Sequence, residues 1–313
     1  MAVSKLRLNG KRFTAGFVCV VLLTLCAAYL INTADFPFTD LDVLRRYQIK
    51  KLNKNLDRVE TVIVGDSAAG NAIDARVFSE LSGQATLNLA LVGSFGFIGD
   101  YNFLKYLHGR APHLKNIIII HTLDIWQRPL SPEGYFDTMR YVDFPERYYW
   151  IFPWRVGSYL GYTMNIKKAV HVAVSLLRGD KPPLQVDERY DYIAQGRERF
   201  SNGLKVIAPE ARLKETIKNT EMFFALDALC EEKDINCIYM HGPIHETMFN
   251  NSTAVIGRIN AILKNAKSIK YVDKVLHYES KYMGDSEDHI DPLYKGMATK
   301  AYFDALKSSG TLR

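Results

Sequence analysis

The chain is 313 residues long, 48% hydrophobic and 24% charged, which is enough for one sizeable domain with appendages and too apolar for intrinsic disorder. Its 40 basic and 34 acidic side chains give a formal net charge of +6. They are scattered without a basic block long enough to follow a phosphate backbone, so nucleic acid is excluded as the expected partner.

Lys5, Arg7, Lys11 and Arg12 precede an uncharged apolar run over 13–31, which as a helix is about 28 Å long and matches the hydrocarbon core of a bilayer. Asp35, Asp40 and Asp42 follow it. The charge asymmetry predicts a cytoplasmic tail over 1–12, an uncleaved anchor over 13–32 and an extracytoplasmic remainder held at the inner membrane. The run is longer than the apolar stretch of a cleaved signal peptide. Residues 33–60 are expected as a juxtamembrane linker, with Pro37 and a basic helical patch over 45–54 suited to lipid head groups.

The short β-branched run at 61–64 ends in Gly65 and leads into helical character over 69–81, a strand-turn-helix unit. A second strand is predicted at 87–91, ending near Gly93, and a helix over 101–109 stopped by glycine. The third strand, 116–121, contains four consecutive isoleucines, as expected where helices cover both faces of a parallel sheet. From about 130 to 206 the rhythm is lost and an insertion is expected. It includes an aromatic run over 148–154, whose residue types suit packing, a membrane interface or sugar stacking. The rhythm resumes with a helix over 212–232, a strand at 236–240, a helix over 253–264, a strand at 270–272 and a final helix over 293–307. The fold class is therefore α/β, a doubly wound parallel sheet over 61–313 whose ligands bind at the carboxyl ends of the strands.

Four cysteines fall into two pairs, Cys19 with Cys26 and Cys230 with Cys237, without Cys-x-x-Cys or Cys/His spacing. No metal is expected from them. In an extracytoplasmic domain Cys230 and Cys237 suit a disulfide, and two buried thiols suit the spacing as well. Gly93-x-x-Gly96-x-x-Gly99 lacks the lysine of a phosphate loop and the spacing of a dinucleotide fingerprint, so no cofactor is expected. His241 and His245 are separated by Gly242 and Pro243, which precludes a helical metal pair. They belong to a strand-end loop, from which His241 is placed to line a site.

Ser67 sits past the carboxyl end of the first strand at the start of a helix, where terminal N–H groups favour negative charge and where a capping serine is also common. His289 lies near the other end of the chain, flanked by Asp285 and Asp288 and followed by the last helix. A histidine so flanked is suited to general-base chemistry. Gly65-Asp66-Ser67 after the first strand, Gly93 after the second, and His289-Ile290 followed by Gly296 resemble the SGNH (GDSL-type) hydrolase superfamily over about two-thirds of the chain. With the anchor, the closer likeness is to membrane-anchored proteins of envelope acylation, of the alginate O-acetylation and teichoic-acid D-alanylation type.

That resemblance implies a flavodoxin-like sheet, Ser67 as nucleophile, His289 as base, and an oxyanion hole from the backbone N–H groups of Ser67 and Gly93. The family places its carboxylate three residues before the histidine, where this chain has Ser286. Asp285 is the first choice for that role and Asp288 the second. After the third strand the family has an asparagine, and this chain offers Asp124. Asp66, Asp124 and His241 are expected to line the substrate. The implied activity is O-acyl transfer, of acetyl above all, to an envelope polysaccharide, with a polytopic membrane acyltransferase as partner. A membrane-tethered carbohydrate esterase with the same residues, or a non-catalytic glycan-binding or scaffold subunit, are the alternatives.

Overall fold

A computed structural model of the chain describes residues 10–33, 40–129, 131–139, 156–179, 186–187, 192–193 and 207–313. Helix α1, Gly10–Thr33, is long and apolar enough over Phe13–Thr33 to cross a membrane, with a mean hydropathy of 2.4. Helix α2, Asp40–Asn53, follows. It lies within the stretch expected as a linker, yet Leu44 and Leu52 are in the hydrophobic core. Arg45, expected near head groups, is fully buried between Asp42 and Asp137. The basic residues of α2 thus share one helix with an apolar face, and core burial decides where that helix sits.

Strand β1 (Thr61–Gly65) is followed by α3 (Ser67–Ala72) and α4 (Ala75–Ser82). One helix was expected here. The chain is broken at Ile73 and restarted by Asp74, whose carboxylate accepts from the backbone N–H groups of Arg76 and Val77, as an N-cap does. Next come β2 (Thr86–Asn88), α5 (Gly96–Leu107) and β3 (Asn116–His121). Strand β2 is shorter than the sequence suggests, although the Leu89 and Leu91 N–H groups beyond it still donate to the Ile63 and Gly65 carbonyls of β1.

The segment expected as an insertion holds α6 (Pro132–Met139), α7 (Val156–Thr163), α8 (Ile166–Arg178) and the short strands β4 (Val186–Asp187) and β5 (Tyr192–Ile193). The aromatic run at 148–154 lies outside the described residues. Helix α6 is part of the core rather than an appendage: Tyr135 and Phe136 are buried in it, and Asn102 of α5 donates to Thr138.

The remainder comprises α9 (Thr220–Glu232), β6 (Asn236–His241), β7 (Ile244–His245), α10 (Glu246–Asn251), α11 (Thr253–Leu263), β8 (Lys270–Tyr271), β9 (His277–Tyr278) and α12 (Lys295–Ser309). Helix α9 begins later than expected because residues before it are pinned individually, Leu213 N–H to the Ser252 hydroxyl and Lys218 N–H to the Trp126 carbonyl.

Five strands form one parallel sheet in the order β2-β1-β3-β6-β8. The isoleucines of β3 are at its centre and fully or almost fully buried. The order reverses direction between β1 and β3, the crevice where open α/β sheets bind ligands. Cys230 of α9 and Cys237 of β6 are joined by a disulfide with a Cα–Cα distance of 6.2 Å.

Candidate active site

Gly65, at the end of β1, has φ of +135° and no room for a side chain, since a Cβ there would sit 1.8 Å from the Ile120 carbonyl oxygen. Only glycine takes this backbone without strain. The close approach of β1 to β3 delivers the next two residues to the sheet edge. Asp66 caps α3 by accepting from the Ala68 N–H at 3.0 Å. Ser67 is the first residue of that helix and is half-buried.

Asp66 was expected to line the substrate. Instead its carboxylate points inward and is fully buried, accepting from the Thr122 N–H and hydroxyl, both at 2.9 Å, and contacting His121 Nδ1 at 3.2 Å. Capping geometry requires this, because the oxygen must turn back toward the first helical N–H groups. The other ring nitrogen of His121 meets Asp100 of α5. Burial opposes charge on all three groups. Asp100 first and then Asp66 nevertheless hold the His121 imidazole up at about 10, and His121 and Thr122 hold the Asp66 carboxyl below its ordinary value. The Asp100 carboxyl is pushed up, chiefly by burial. This Asp66-His121-Asp100 network lies beneath the serine turn. The sequence hides it, because its members are separated by 55 and 21 positions.

His289 is delivered by a tight loop before α12. An antiparallel bridge pairs Met283 with Ile290, the Gly284 N–H donates to the His289 carbonyl at 2.6 Å, and the Glu287 carbonyl accepts from the His245 N–H. The loop brings His289 Nε2 to 2.8 Å from Ser67 Oγ and His289 Nδ1 to 2.8 Å from Asp285 Oδ1. Asp285 therefore orients the imidazole although it is four residues away, because the closed loop folds the chain back between them. Asp288 occupies a different position. Its Oδ1 is 3.7 Å from Nε2, the nitrogen facing Ser67, and it accepts from the Ser286 hydroxyl. Burial raises the Asp288 carboxyl above its ordinary value. Burial pulls the His289 imidazole down, but the Asp285 hydrogen bond and the Asp288 and Asp285 charges outweigh it, so its pKa stands above the ordinary 6.5.

Gly93 lies in the loop after β2, beside β1 in the sheet. The Arg128 guanidinium rests against it in the space a Cβ would occupy, with Nη1 1.7 Å from that point. Asp124 holds this guanidinium, accepting from Nε at 2.9 Å and Nη2 at 2.7 Å. Asp124 therefore sits at the rim of the site as the anchor of Arg128, and its acceptor capacity is engaged there and by the Thr122 hydroxyl. Arg128 is the residue that reading the sequence missed. It follows the third strand at the end of a 3-10 turn, Leu123–Gln127, four residues from Asp124, and that i,i+4 pair was the available signal. Helix α6 braces the same loop, since a Cβ on Gly134 would meet the Ser94 carbonyl oxygen at 2.4 Å.

His241 departs from its expected place. It is fully buried, its Nε2 is paired with Asn260 Oδ1 at 2.9 Å, and burial lowers its pKa to about 4. The side chain belongs to the face of the sheet covered by α11 and does not line the serine site. His245 caps α10 and bonds Ser280. Among the described residues there is no cluster of three or more histidine, cysteine or acidic side chains able to hold a metal ion. No protein-family model matches the chain, and no curated protein matches it.

Together the groups offer a hydroxyl in contact with an imidazole, a carboxylate on the far imidazole nitrogen, helix-terminal N–H groups and a nearby guanidinium. Such an arrangement can transfer a proton from Ser67 to His289 as Oγ attacks an electrophilic carbonyl.

Proposed function

We propose that the chain is a membrane-anchored serine acyltransferase of the SGNH type, which passes an acyl group, acetyl above all, to a hydroxyl of an envelope polysaccharide through an acyl-Ser67 intermediate. The observation that carries this reading is the continuous hydrogen-bonded chain Ser67-His289-Asp285 at the carboxyl edge of a parallel sheet. His289 takes the Ser67 proton as Oγ attacks the acyl carbonyl, and returns it to the departing group. The sugar hydroxyl then gives its proton to His289 as its oxygen takes the acyl group, and His289 passes that proton to the departing Ser67 Oγ. Asp285 holds the tautomer and steadies the imidazolium.

The backbone N–H groups of Ser67 and Gly93 receive the developing oxyanion, and Arg128, held beside Gly93 by Asp124, adds its positive charge there. Arg128→Ala is therefore expected to slow acylation of Ser67 about 10-fold to 100-fold, with Arg128→Lys intermediate, measured as the rate of covalent labelling by a fluorophosphonate.

Helix α1 serves as the single-pass anchor, with the N-terminus inside by the positive-inside rule. The Cys230–Cys237 disulfide supports an oxidising, extracytoplasmic compartment for the folded body. Soluble acyl donors of the cytosol do not reach that side, which is why a polytopic membrane acyltransferase is the proposed partner.

The raised pKa of His289 has a testable consequence. A base must be neutral to accept a proton, so Ser67 labelling should rise with pH to a midpoint above 6.5. Asp285→Asn should lower both the rate and that midpoint, because the leading hydrogen bond that raises the imidazole is weakened.

The cellular test compares the acyl content of envelope polysaccharide in cells carrying Ser67→Ala with that in wild type. Lower acylation is the expected result. Higher acylation would assign the same residues to an esterase, and unchanged acylation would remove both readings.

A further inference from the structure

Helix α8 carries three chemically distinct sectors. Ala169 and Val172 are buried, and the helix is in contact with α1. Its start is fixed to the far end of α1 by Asn32, whose side-chain amide donates to the Thr163 carbonyl at 2.9 Å and the Asn165 carbonyl at 3.1 Å. Beside the α1-facing sector runs a stripe of exposed aliphatic side chains at successive turns: Ile166 at 44%, Val170 at 55%, Val174 at 37% and Leu177 at 88% exposure. At about 100° per residue these four lie within one narrow face. Lys167, His171 and Arg178, all exposed, share the next face round.

In water the stripe is an unexplained cost, because large aliphatic side chains at four successive turns gain nothing from solvent. Its neighbour accounts for it. Phe13, Phe17, Leu22, Leu23 and Leu30 of α1 are exposed in the same way, as suits a helix immersed in acyl chains. Because α8 is held against the Asn32 end of that helix, its exposed stripe is next to a surface suited to the same medium. The basic sector borders the stripe on one side, an arrangement in which Lys and Arg flank a lipid-facing apolar face and reach the head groups.

We propose that α8 is a second membrane-contacting element. It is an interfacial amphipathic helix that seats Ile166, Val170, Val174 and Leu177 in the outer edge of the acyl layer and presents Lys167, His171 and Arg178 to anionic head groups. This inference rests on α1 being the membrane anchor. It goes beyond anchorage, because a second contact on a separate helix limits how the folded body can turn about the anchor. The link runs through the chain's own contacts. Tyr162 of α7, the helix just before α8, donates to Asp137, which also meets the buried Arg45 of α2. The α6 helix bearing Asp137 braces the Gly93 loop. The serine site is thereby held at a set height and tilt relative to lipid, as suits an acyl group received from a membrane-embedded donor.

The test uses the full chain reconstituted in vesicles of zwitterionic and anionic phospholipid, with Cys19 and Cys26 replaced by serine and single cysteines placed at exposed positions. An environment-sensitive NBD label at Val170→Cys or Val174→Cys should emit blue-shifted light and lose roughly half its intensity when the acyl chains carry bromine. Labels at Lys167→Cys and His171→Cys should not be quenched. A label at Leu22→Cys reports on α1 independently. Quenching at Leu22 without quenching at Val170 and Val174 would overturn the role of α8 while leaving the anchor in place. A blue shift at Val170 without bromine quenching would mean that protein rather than lipid covers the stripe, and would also overturn it. Absence of quenching at Leu22 would remove the anchor reading itself.

Discussion

Replacing His289 by alanine is expected to slow covalent labelling of Ser67 by about 100-fold to 10,000-fold, the range for removal of a positioned general base. The physical reason is local. Without the imidazole at 2.8 Å, the Ser67 hydroxyl must ionise unaided at neutral pH, and the leaving group finds no proton donor. The helix-terminal N–H groups survive the substitution, so labelling should be slow rather than absent. Combining His289→Ala with Asp285→Ala should add little, because Asp285 acts through the imidazole. By contrast, Asp288→Asn should leave most of the rate, since Asp288 does not contact the nitrogen that orients the ring. The measurement is the second-order rate of fluorophosphonate adduct formation, followed by peptide mass spectrometry.

The largest expected effect on stability comes from Asp66→Ala. Three losses coincide: the cap of α3, the acceptor for Thr122 N–H, and one of the two carboxylates around a buried, charged imidazole. Removing one partner from a buried charge network costs about 3–5 kcal/mol, which for a body of this size lowers the melting temperature by roughly 10 °C. The pH dependence follows from the shifts. The depressed Asp66 carboxyl contributes stability above its ordinary value of 3.8 and loses it as pH falls through the lower folded value. The raised His121 imidazole contributes fully below 6.5 and loses its contribution as pH rises through about 10. The gap in melting temperature between wild type and Asp66→Ala should therefore be widest between about pH 4 and 6.5 and narrow toward pH 10. Scanning calorimetry of the two proteins in detergent at several pH values measures it.

Much of this architecture is legible in the sequence where local chemistry decides it. The isoleucines of β3 mark a strand covered on both faces, and they form the central strand of a five-stranded parallel sheet. The helix long enough to cross a membrane follows from an uncharged run. Ser67 and His289 stand out because each sits beside a recognisable boundary, a strand end and a terminal helix, and the structure brings them together across 222 positions.

What the sequence hides depends on direction and long-range pairing. Gly-Asp-Ser does not reveal that the aspartate turns inward while the serine turns outward. Capping geometry settles that, and it removes Asp66 from the surface. His241 ends a strand just as His121 does, yet it packs beneath α11 with Asn260 instead of joining the site. The basic run in α2 suggests a membrane-facing patch, but Arg45 finds Asp137 far along the chain and is buried. Arg128 is invisible as a site residue until the folded loops lay it against Gly93.

The proposed function requires Ser67 to carry the acyl group in transit. The most direct measurement incubates the purified full chain in detergent with a small activated acetyl ester, quenches in acid and maps the acetylated residue by mass spectrometry. Acetyl is expected on Ser67, lost in Ser67→Ala and formed far more slowly in His289→Ala. Absence of any adduct on Ser67 across neutral and alkaline pH, or equal acetylation of the Ser67→Ala protein at another residue, would contradict it.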